Sequence, residues 1–224
     1  MKVLLILVIQ LQFISLVYAQ HDSIPKDMVK YSAEYEFKEG IFLNFSQVKS
    51  NKPIPKSRII SSENYNSLDF LNKVVQNDKI YVYDEYGMRQ EIATKDVWGF
   101  SRKGTLYIHW NNEFNRIPIV GNICHFVANK AINHGNYNDP YYYNPYRYNI
   151  TVPTTTTVEM QQYILNFESG EVYEYEIKGL EIILMRDPEL FDEFNNLRNR
   201  KKRKLKFLYL RKFNERNPLY LPKN

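Results

Sequence analysis

The sequence predicts an α+β fold, in which an antiparallel β-meander carries a short N-terminal helix and a C-terminal basic helix packed on it. From residue 79 to residue 127, short β-leaning runs alternate with glycine-containing turns. A further pair of runs flanks the turn Glu168-Ser169-Gly170. Asp187-Pro188-Glu189 marks a helix start, because Asp caps the helix, Pro suits its first position and Glu complements the dipole.

The segment before the meander predicts one strand and one helix. Glu39-Gly40 is a turn signal, and a β-leaning apolar run follows it over residues 41–45. Residues 67–76 (SLDFLNKVVQ) place Leu68, Leu71 and Val75 at helical spacing. This spacing predicts the short N-terminal helix.

The meander is expected to begin at Lys79. Within it, Thr105 to Trp110 alternates, with Leu106, Ile108 and Trp110 on one face and Tyr107 and His109 on the other. The remaining predicted strands are residues 80–83, 88–93, 97–100, 114–120 and 123–127.

The pattern breaks over residues 131–157, where a polar and aromatic stretch with three prolines predicts a long loop. The β pattern then returns. Tyr163, Leu165 and Phe167 alternate before the turn at 168–170, and Tyr173 to Ile177 alternates after it. These runs predict a hairpin with one solvent-facing side, whose second strand reaches at least Ile177.

The C-terminal helix is predicted over residues 187–217, as one helix or a pair that ends before Pro218. Leu190, Phe194 and Leu197 form its expected buried stripe. The basic run 198–206 (RNRKKRKLK) follows them. We expect these cations to lie toward a helix C-terminus, where they complement the dipole.

Residues 1–19 have the pattern of a secretory signal peptide. Lys2 precedes an apolar run over residues 3–17, and Val17-Tyr18-Ala19 predicts cleavage after Ala19. The run is too short for a membrane span, so the mature chain is not expected to be transmembrane. Residues 20–224 are then expected to form a single domain, located in the periplasm or secreted.

Composition narrows the classes of protein and partner. The chain has 44% hydrophobic residues and one cysteine, Cys124, so it forms no intrachain disulfide and residues 1–19 hold no lipoprotein cysteine. Its formal charge is +5, with the basic residues concentrated in the run 198–206. For a secreted protein this favours an anionic envelope surface or an acidic glycan over nucleic acid as the partner of the run, and the alternative interpretation of the run is a solvated helix face.

Cysteine chemistry is the one catalytic pattern to consider. A thiolate nucleophile needs a lowered pKa and a base, and His109 or His134 could supply the base for Cys124. No signature of a known cysteine enzyme surrounds Cys124, so a small buried strand residue is the alternative interpretation. The histidines show no ligand spacing of a metal site, and no cofactor is predicted.

The tyrosine-rich part of the predicted loop is the main candidate for binding. Tyrosines provide rigid amphipathic contact area, which suits stacking on sugar rings or on a protein partner. The alternative is that the rings fold onto the protein's own sheet. The candidate binding residues are Tyr141, Tyr142, Tyr143, Tyr146, Arg147 and Tyr148.

Several longer motifs resemble a family of uncharacterised secreted proteins of Bacteroidetes-type bacteria. They are EGIFLNF at 39–45, KDVWGFSRKGTLYI at 95–108, GNICHFVA at 121–128, DPELFDEF at 187–194 and FLYLRKFNERNPLYLP at 207–222. The resemblance implies export from a Gram-negative bacterium and transfers no activity or site residue.

Taken together, these patterns predict a non-enzymatic binding module at the bacterial cell envelope, with an envelope protein or a glycan as partner. The alternative is a hydrolase or transferase that uses Cys124 with His109 or His134.

Overall fold

The computed structural model describes residues 25–134 and 155–224, with the side chains of residues 133, 134 and 155 also outside the description. The predicted signal peptide therefore lies outside the described residues. The fold mixes α-helices with strands in open sheets, and all strand pairs are antiparallel.

The described chain contains two short 3-10 turns, Lys56–Arg58 and Thr94–Asp96, besides its strands and α-helices. The strands are β1 (Met28–Lys30), β2 (Gly40–Phe42), β3 (Ile54–Pro55), β4 (Ile59–Ile60), β5 (Lys79–Tyr83), β6 (Arg89–Ala93), β7 (Gly99–Arg102), β8 (Thr105–Trp110), β9 (Glu113–Arg116), β10 (Ile123–His134), β11 (Thr155–Asn166), β12 (Val172–Glu174) and β13 (Tyr220–Pro222). The helices are α1 (Phe45–Lys49), α2 (Phe70–Val74), α3 (Ile177–Leu184), α4 (Pro188–Asn195) and α5 (Asn199–Arg216).

Three apolar cores lie between four layers, which are β4–β6 with α2, the five-stranded sheet, the sheet β10-β11-β12, and the helices α3–α5. A five-stranded sheet, β3-β2-β7-β8-β9, has Leu106 and Ile108 in a first core and Phe100 in a second, which β4–β6 and α2 cover. The sheet β10-β11-β12 places Cys124 in the first core and Ile123 in a third, which α3–α5 cover. These two sheets thus have both faces buried over part of their length, because alternate side chains point to opposite faces.

The predicted continuous meander is divided between sheets. The hairpin β5–β6 joins β4, whereas β7–β9 join β2 and β3. Both hairpins carry local turn signals, but local signals do not specify which sheet edge a hairpin pairs with.

The N-terminal helix is shorter than predicted and spans Phe70–Val74. Of the three residues at the predicted helical spacing, Leu71 and Val75 are buried and Leu68 is 65% exposed, while Phe70 and Val74 are buried as well. The predicted start at Ser67 is wrong because Asn64 to Ser67 forms a turn, with the Ser67 N–H donating to the Asn64 carbonyl.

The predicted boundaries of the long loop also change. Residues 131–134 extend β10 and residues 155–157 extend β11, with register from Ile123↔Asn166 to His134↔Thr155. Threonine favours strands, which accounts for the extension at 155–157.

The predicted strand through Ile177 is wrong beyond Glu174, because α3 begins at Ile177. Ile177, Leu180, Ile183 and Leu184 follow helical spacing, and the last three are buried in the third core. Over this stretch helical burial outweighs the short alternating pattern that precedes it.

The segment 187–217 forms the pair α4 and α5. Asp187 Oδ1 accepts a hydrogen bond of 3.2 Å from the Leu190 N–H and Pro188 begins α4, which are the capping features read from the sequence. Asn214 ties α5 to β10, because its Oδ1 accepts from the Ile123 N–H at 2.7 Å and its Nδ2 donates to the Ile123 carbonyl at 2.8 Å.

Candidate functional site

Cys124 lies fully buried in the first core. Its Sγ donates to the Gly121 carbonyl at 3.3 Å, and burial raises the pKa of the thiol to about 12. A nucleophilic cysteine requires an accessible thiolate, which means a lowered pKa. Cys124 therefore has the environment of a packing residue.

The structure does not bring either candidate histidine to Cys124. His109 lies on the face of β8 opposite Leu106 and Ile108, and its ring stacks on Phe114 at 4.6 Å between centroids. His134 is ten residues from Cys124 in the same strand, which corresponds to about 33 Å at a strand rise of about 3.3 Å per residue. No side chain spans that distance.

Ser46 and Lys49 have the Ser-x-x-Lys spacing, and both lie on α1. Serine nucleophiles of some acyl-transfer enzymes use this spacing with the lysine nearby. Here the Lys49 ammonium donates to the Glu168 carbonyl at 3.1 Å, and no hydrogen bond joins it to Ser46 in the described part of the chain. The motif does not form a nucleophile–base pair.

Within residues 25–134 and 155–224, no group of three or more His, Cys, Asp or Glu side chains is arranged to hold a metal ion. Over the same ranges, no helix has the length and apolarity needed to cross a bilayer.

The predicted binding residues Tyr141, Tyr142, Tyr143, Tyr146, Arg147 and Tyr148 lie outside the described residues. The structure does show the strands on either side of them. In the half of the hairpin β10–β11 that begins at the pair Ile123↔Asn166, Phe126 and Tyr163 are buried. Toward the pair His134↔Thr155, Val158 and Met160 are 66% and 77% exposed. The outer part of the hairpin thus extends beyond the cores.

The basic run does not lie at a helix C-terminus, as the sequence had suggested. Arg198 is the N-cap residue of α5, so the cations occupy the first two turns of this helix. The first turn contains no acidic residue, and the Arg198 side chain makes no capping hydrogen bond. Cations at a helix N-terminus oppose the dipole, so this arrangement is locally unfavourable.

Two lysines of the run serve the fold. Lys202 is buried, and its ammonium donates to Glu181 Oε1 at 2.7 Å and Asn195 Oδ1 at 2.8 Å. The Lys206 ammonium donates to the Tyr175 carbonyl and lies 4.4 Å from the centroid of the Tyr175 ring. Burial lowers the pKa of Lys206. These lysines fix α5 to α3 and to the segment after β12.

The other cations of the first two turns form what we call the cationic face: Arg200, Lys201, Arg203 and Lys204. All four are exposed, and none pairs with a carboxylate in the part of the chain that the structure describes. The second half of α5 differs, since Arg211, Lys212 and Arg216 each pair with an acidic side chain.

Two exposed apolar side chains continue the cationic face. Phe207 is 46% and Leu208 44% exposed. Arg200, Lys204, Phe207 and Leu208 follow the spacing i, i+4, i+7, i+8, which places them on one side of the helix. In the sequence, the spacing of four residues between Lys204 and Leu208 is the signal that places Leu208 on this side of the helix.

No protein family model, curated protein or solved structure matches this chain. The resemblance to secreted proteins of Bacteroidetes-type bacteria therefore stays a prediction.

Proposed function

We propose that this chain is a secreted or periplasmic, non-enzymatic binding module that docks on an anionic surface of the bacterial cell envelope through the cationic face of α5. The observation that carries the proposal is a group of four exposed cations at the start of a helix, none of which pairs with a carboxylate within the described residues. Those cations do not help the helix, because they oppose its dipole. An anionic partner gives them a favourable role.

Two exposed apolar side chains beside these cations, Phe207 and Leu208, favour a lipid surface over a polysaccharide as the partner. A helix that lies in a membrane interface combines basic residues with Phe, Leu or Trp on the side facing the bilayer. Phe207 and Leu208 provide that apolar component next to Lys204. We therefore assign the anionic lipid headgroup, with its phosphate, as the preferred ligand.

Vesicle binding tests the proposal directly. The mature chain from Gln20 is mixed with phosphatidylglycerol-containing vesicles and with pure phosphatidylcholine vesicles, and binding is measured by cosedimentation at increasing salt. We expect binding to the anionic vesicles that weakens as salt screens the charges. Changing the four residues of the cationic face to Gln should weaken it by ~4 kcal/mol, since each cation near an anionic surface contributes ~1 kcal/mol.

A matched control removes the same charge elsewhere. Lys26, Lys38, Lys52 and Lys95 are exposed, and their ammonium groups make no hydrogen bond or ion pair in the described residues. Changing these four to Gln should leave most of the vesicle binding. Equal losses in both variants would reduce the effect to net charge and contradict a localised docking face. The double variant Phe207→Ser and Leu208→Ser separates lipid insertion from binding to a charged polysaccharide.

We further propose the tyrosine-rich residues 141–148 as a second contact surface for an envelope protein or glycan. This part of the proposal is supported by sequence, where rigid amphipathic rings cluster. Replacing Tyr141, Tyr142 and Tyr143 with serine should weaken binding to isolated envelope fractions. Unchanged binding would contradict it.

The absence of cysteine catalysis is tested by thiol labelling. We expect a thiol reagent to label Cys124 at neutral pH only after denaturation, because the thiol is fully buried with a raised pKa. Rapid labelling of the folded chain would instead support the hydrolase or transferase alternative.

N-terminal sequencing tests the predicted cleavage after Ala19. Sequencing of the secreted product should find Gln20 at its N-terminus.

A further inference from the structure

A groove of about 970 Å³ lies between the five-stranded sheet and the layer that covers its second core. One wall comes from the end of α2 and the start of β5, and the other comes from β8 and β9. The covering layer buries Phe100 fully but leaves Tyr107, His109 and Phe114 only half-buried. The groove exists because the layer stops short of the β9 edge.

The floor of the groove is aromatic and held rigidly. Tyr107 stacks on Phe100 with centroids 4.6 Å apart and planes 5° apart, and His109 stacks on Phe114 at 4.6 Å and 16°. Arg102 Nη2 donates to the Tyr107 hydroxyl at 3.2 Å. Because each ring is supported by a neighbour, the floor is preorganised and needs little ordering when a ligand binds.

The rim of the groove carries amide side chains. Gln76 and Asn112 are exposed and make no side-chain hydrogen bond in the described residues. Asn77 Nδ2 donates to the Lys73 and Val74 carbonyls, and its Oδ1 accepts no hydrogen bond in the described residues. An amide offers both a donor and an acceptor, which matches a hydroxyl group that does the same.

The side chains that line the groove have no net formal charge. Two cations, Lys79 and Lys95, and two anions, Asp78 and Glu113, are among them, and His109 is counted as neutral. An anionic ligand would gain no net attraction here, in contrast to the cationic face. The volume lies at the upper end of the range of roughly 300–1,000 Å³ typical of small-ligand sites.

We infer that this groove binds a neutral oligosaccharide, with a sugar ring lying against the His109–Phe114 stack and its hydroxyls bonded by Gln76 and Asn112. The C–H face of a pyranose ring is apolar and packs on aromatic rings, while its hydroxyls require mixed donors and acceptors. The inference goes beyond the proposed docking on lipid, because it uses other residues in another layer.

Nuclear magnetic resonance on the full mature chain tests this inference. His109 resonances, assigned by their loss in His109→Gln, are followed during titration with a panel of neutral glucan, xylan, mannan and chitin oligosaccharides. We expect at least one of them to shift the His109 signals saturably. Shifts with none of the panel, or only with charged oligosaccharides such as alginate fragments, would overturn the inference.

Two variants place the ligand in the groove. Gln76→Ala removes one amide, and Asn112→Gly removes another at φ +62°, a conformation that glycine adopts without strain. Each should weaken binding about tenfold through a lost hydrogen bond. The control Gln161→Ala, on β11 outside the groove, should bind as the unchanged chain does.

The outcome is separable from that of lipid docking. The variant with Gln at the four positions of the cationic face should retain oligosaccharide binding and lose most of the vesicle binding. Asn112→Gly should retain vesicle binding and weaken oligosaccharide binding about tenfold. Oligosaccharide affinity that is unchanged in both groove variants would contradict the assigned site. Urea unfolding midpoints confirm that each variant is folded.

Discussion

The inward and outward sides of the first two turns of α5 carry the same kind of side chain in contrasting settings. Lys202 and Lys206, on the inward side, have specific partners on α3 and after β12. The cationic face, on the outward side, has no acidic partner in the described chain. Burial thus places the structural lysines on one side of the helix and leaves the exposed cations of the cationic face on the other. The comparison predicts that stability depends on the inward side and binding on the outward side.

The largest expected stability effect is at Lys202. Lys202→Met keeps the apolar stem but removes the ammonium, and leaves Glu181, whose side chain is only 22% exposed, without its partner. Removing one member of a buried ion pair is costly, so we expect a loss of about 3 kcal/mol in the free energy of unfolding. Urea denaturation measures it. Lys204→Met on the outward side should change stability by less than about 0.5 kcal/mol, and similar losses at both positions would remove the contrast.

Tyr209 sharpens the comparison through pH. Burial and a hydrogen bond from its hydroxyl to Glu193, at 3.0 Å, raise the pKa of Tyr209 from 10.0 to about 12. Lys212 lies over the same ring at 5.0 Å. Because the folded pKa is raised, the resulting stability is fully present below pH 10 and is lost as pH rises toward 12.

We therefore expect Tyr209→Phe to be less stable by about 1 kcal/mol at pH 7, where the hydrogen bond is lost. Denaturation at a series of pH values should show this difference shrinking above pH 10. A constant difference from pH 7 to pH 11 would mean that the phenol does not titrate as its burial implies.

A capping residue at the start of α5 should increase the free energy of unfolding. Arg198 has extended backbone angles (φ −64°, ψ 146°) that suit a capping residue, but its side chain caps nothing. Arg198→Asp supplies a carboxylate acceptor for the free N–H groups and should stabilise the chain by about 1 kcal/mol. Thermal unfolding measures the gain, with Arg198→Gln as the control for lost charge. No gain over Arg198→Gln would show that this helix end is already satisfied.

The smallest expected effect is at Lys201, in the first turn of α5. Lys201→Glu replaces a cation that opposes the dipole with an anion that complements it, which should add about 0.5 kcal/mol at low salt. The gain should fade at high salt, while vesicle binding weakens. A stability loss would indicate that Lys201 has a structural role and would break the contrast between the two sides.

The two candidate surfaces, the cationic face and the groove, differ in how much of each the sequence predicts. The run 198–206 was visible as a charge pattern, but its division into inward and outward members was not, because α5 has a weak apolar stripe and a buried lysine at position 202. The groove was not anticipated. The alternation that placed Tyr107 and His109 on one face was correct, yet the partial covering of that face depends on β4–β6 and α2, which pair and pack elsewhere in the chain.

Sequence by itself determined the features whose causes lie within a few residues: the capped start at Asp187-Pro188, the turns at Gly87 and Gly104, and the alternation of β8. Only the tertiary structure decided that β5–β6 and β7–β9 belong to different sheets, that Cys124 is sealed in a core and that the basic run begins a helix. Local signals act through backbone conformation and capping. Sheet membership and burial depend on apolar surfaces from distant segments, whose free energy appears only when those segments meet.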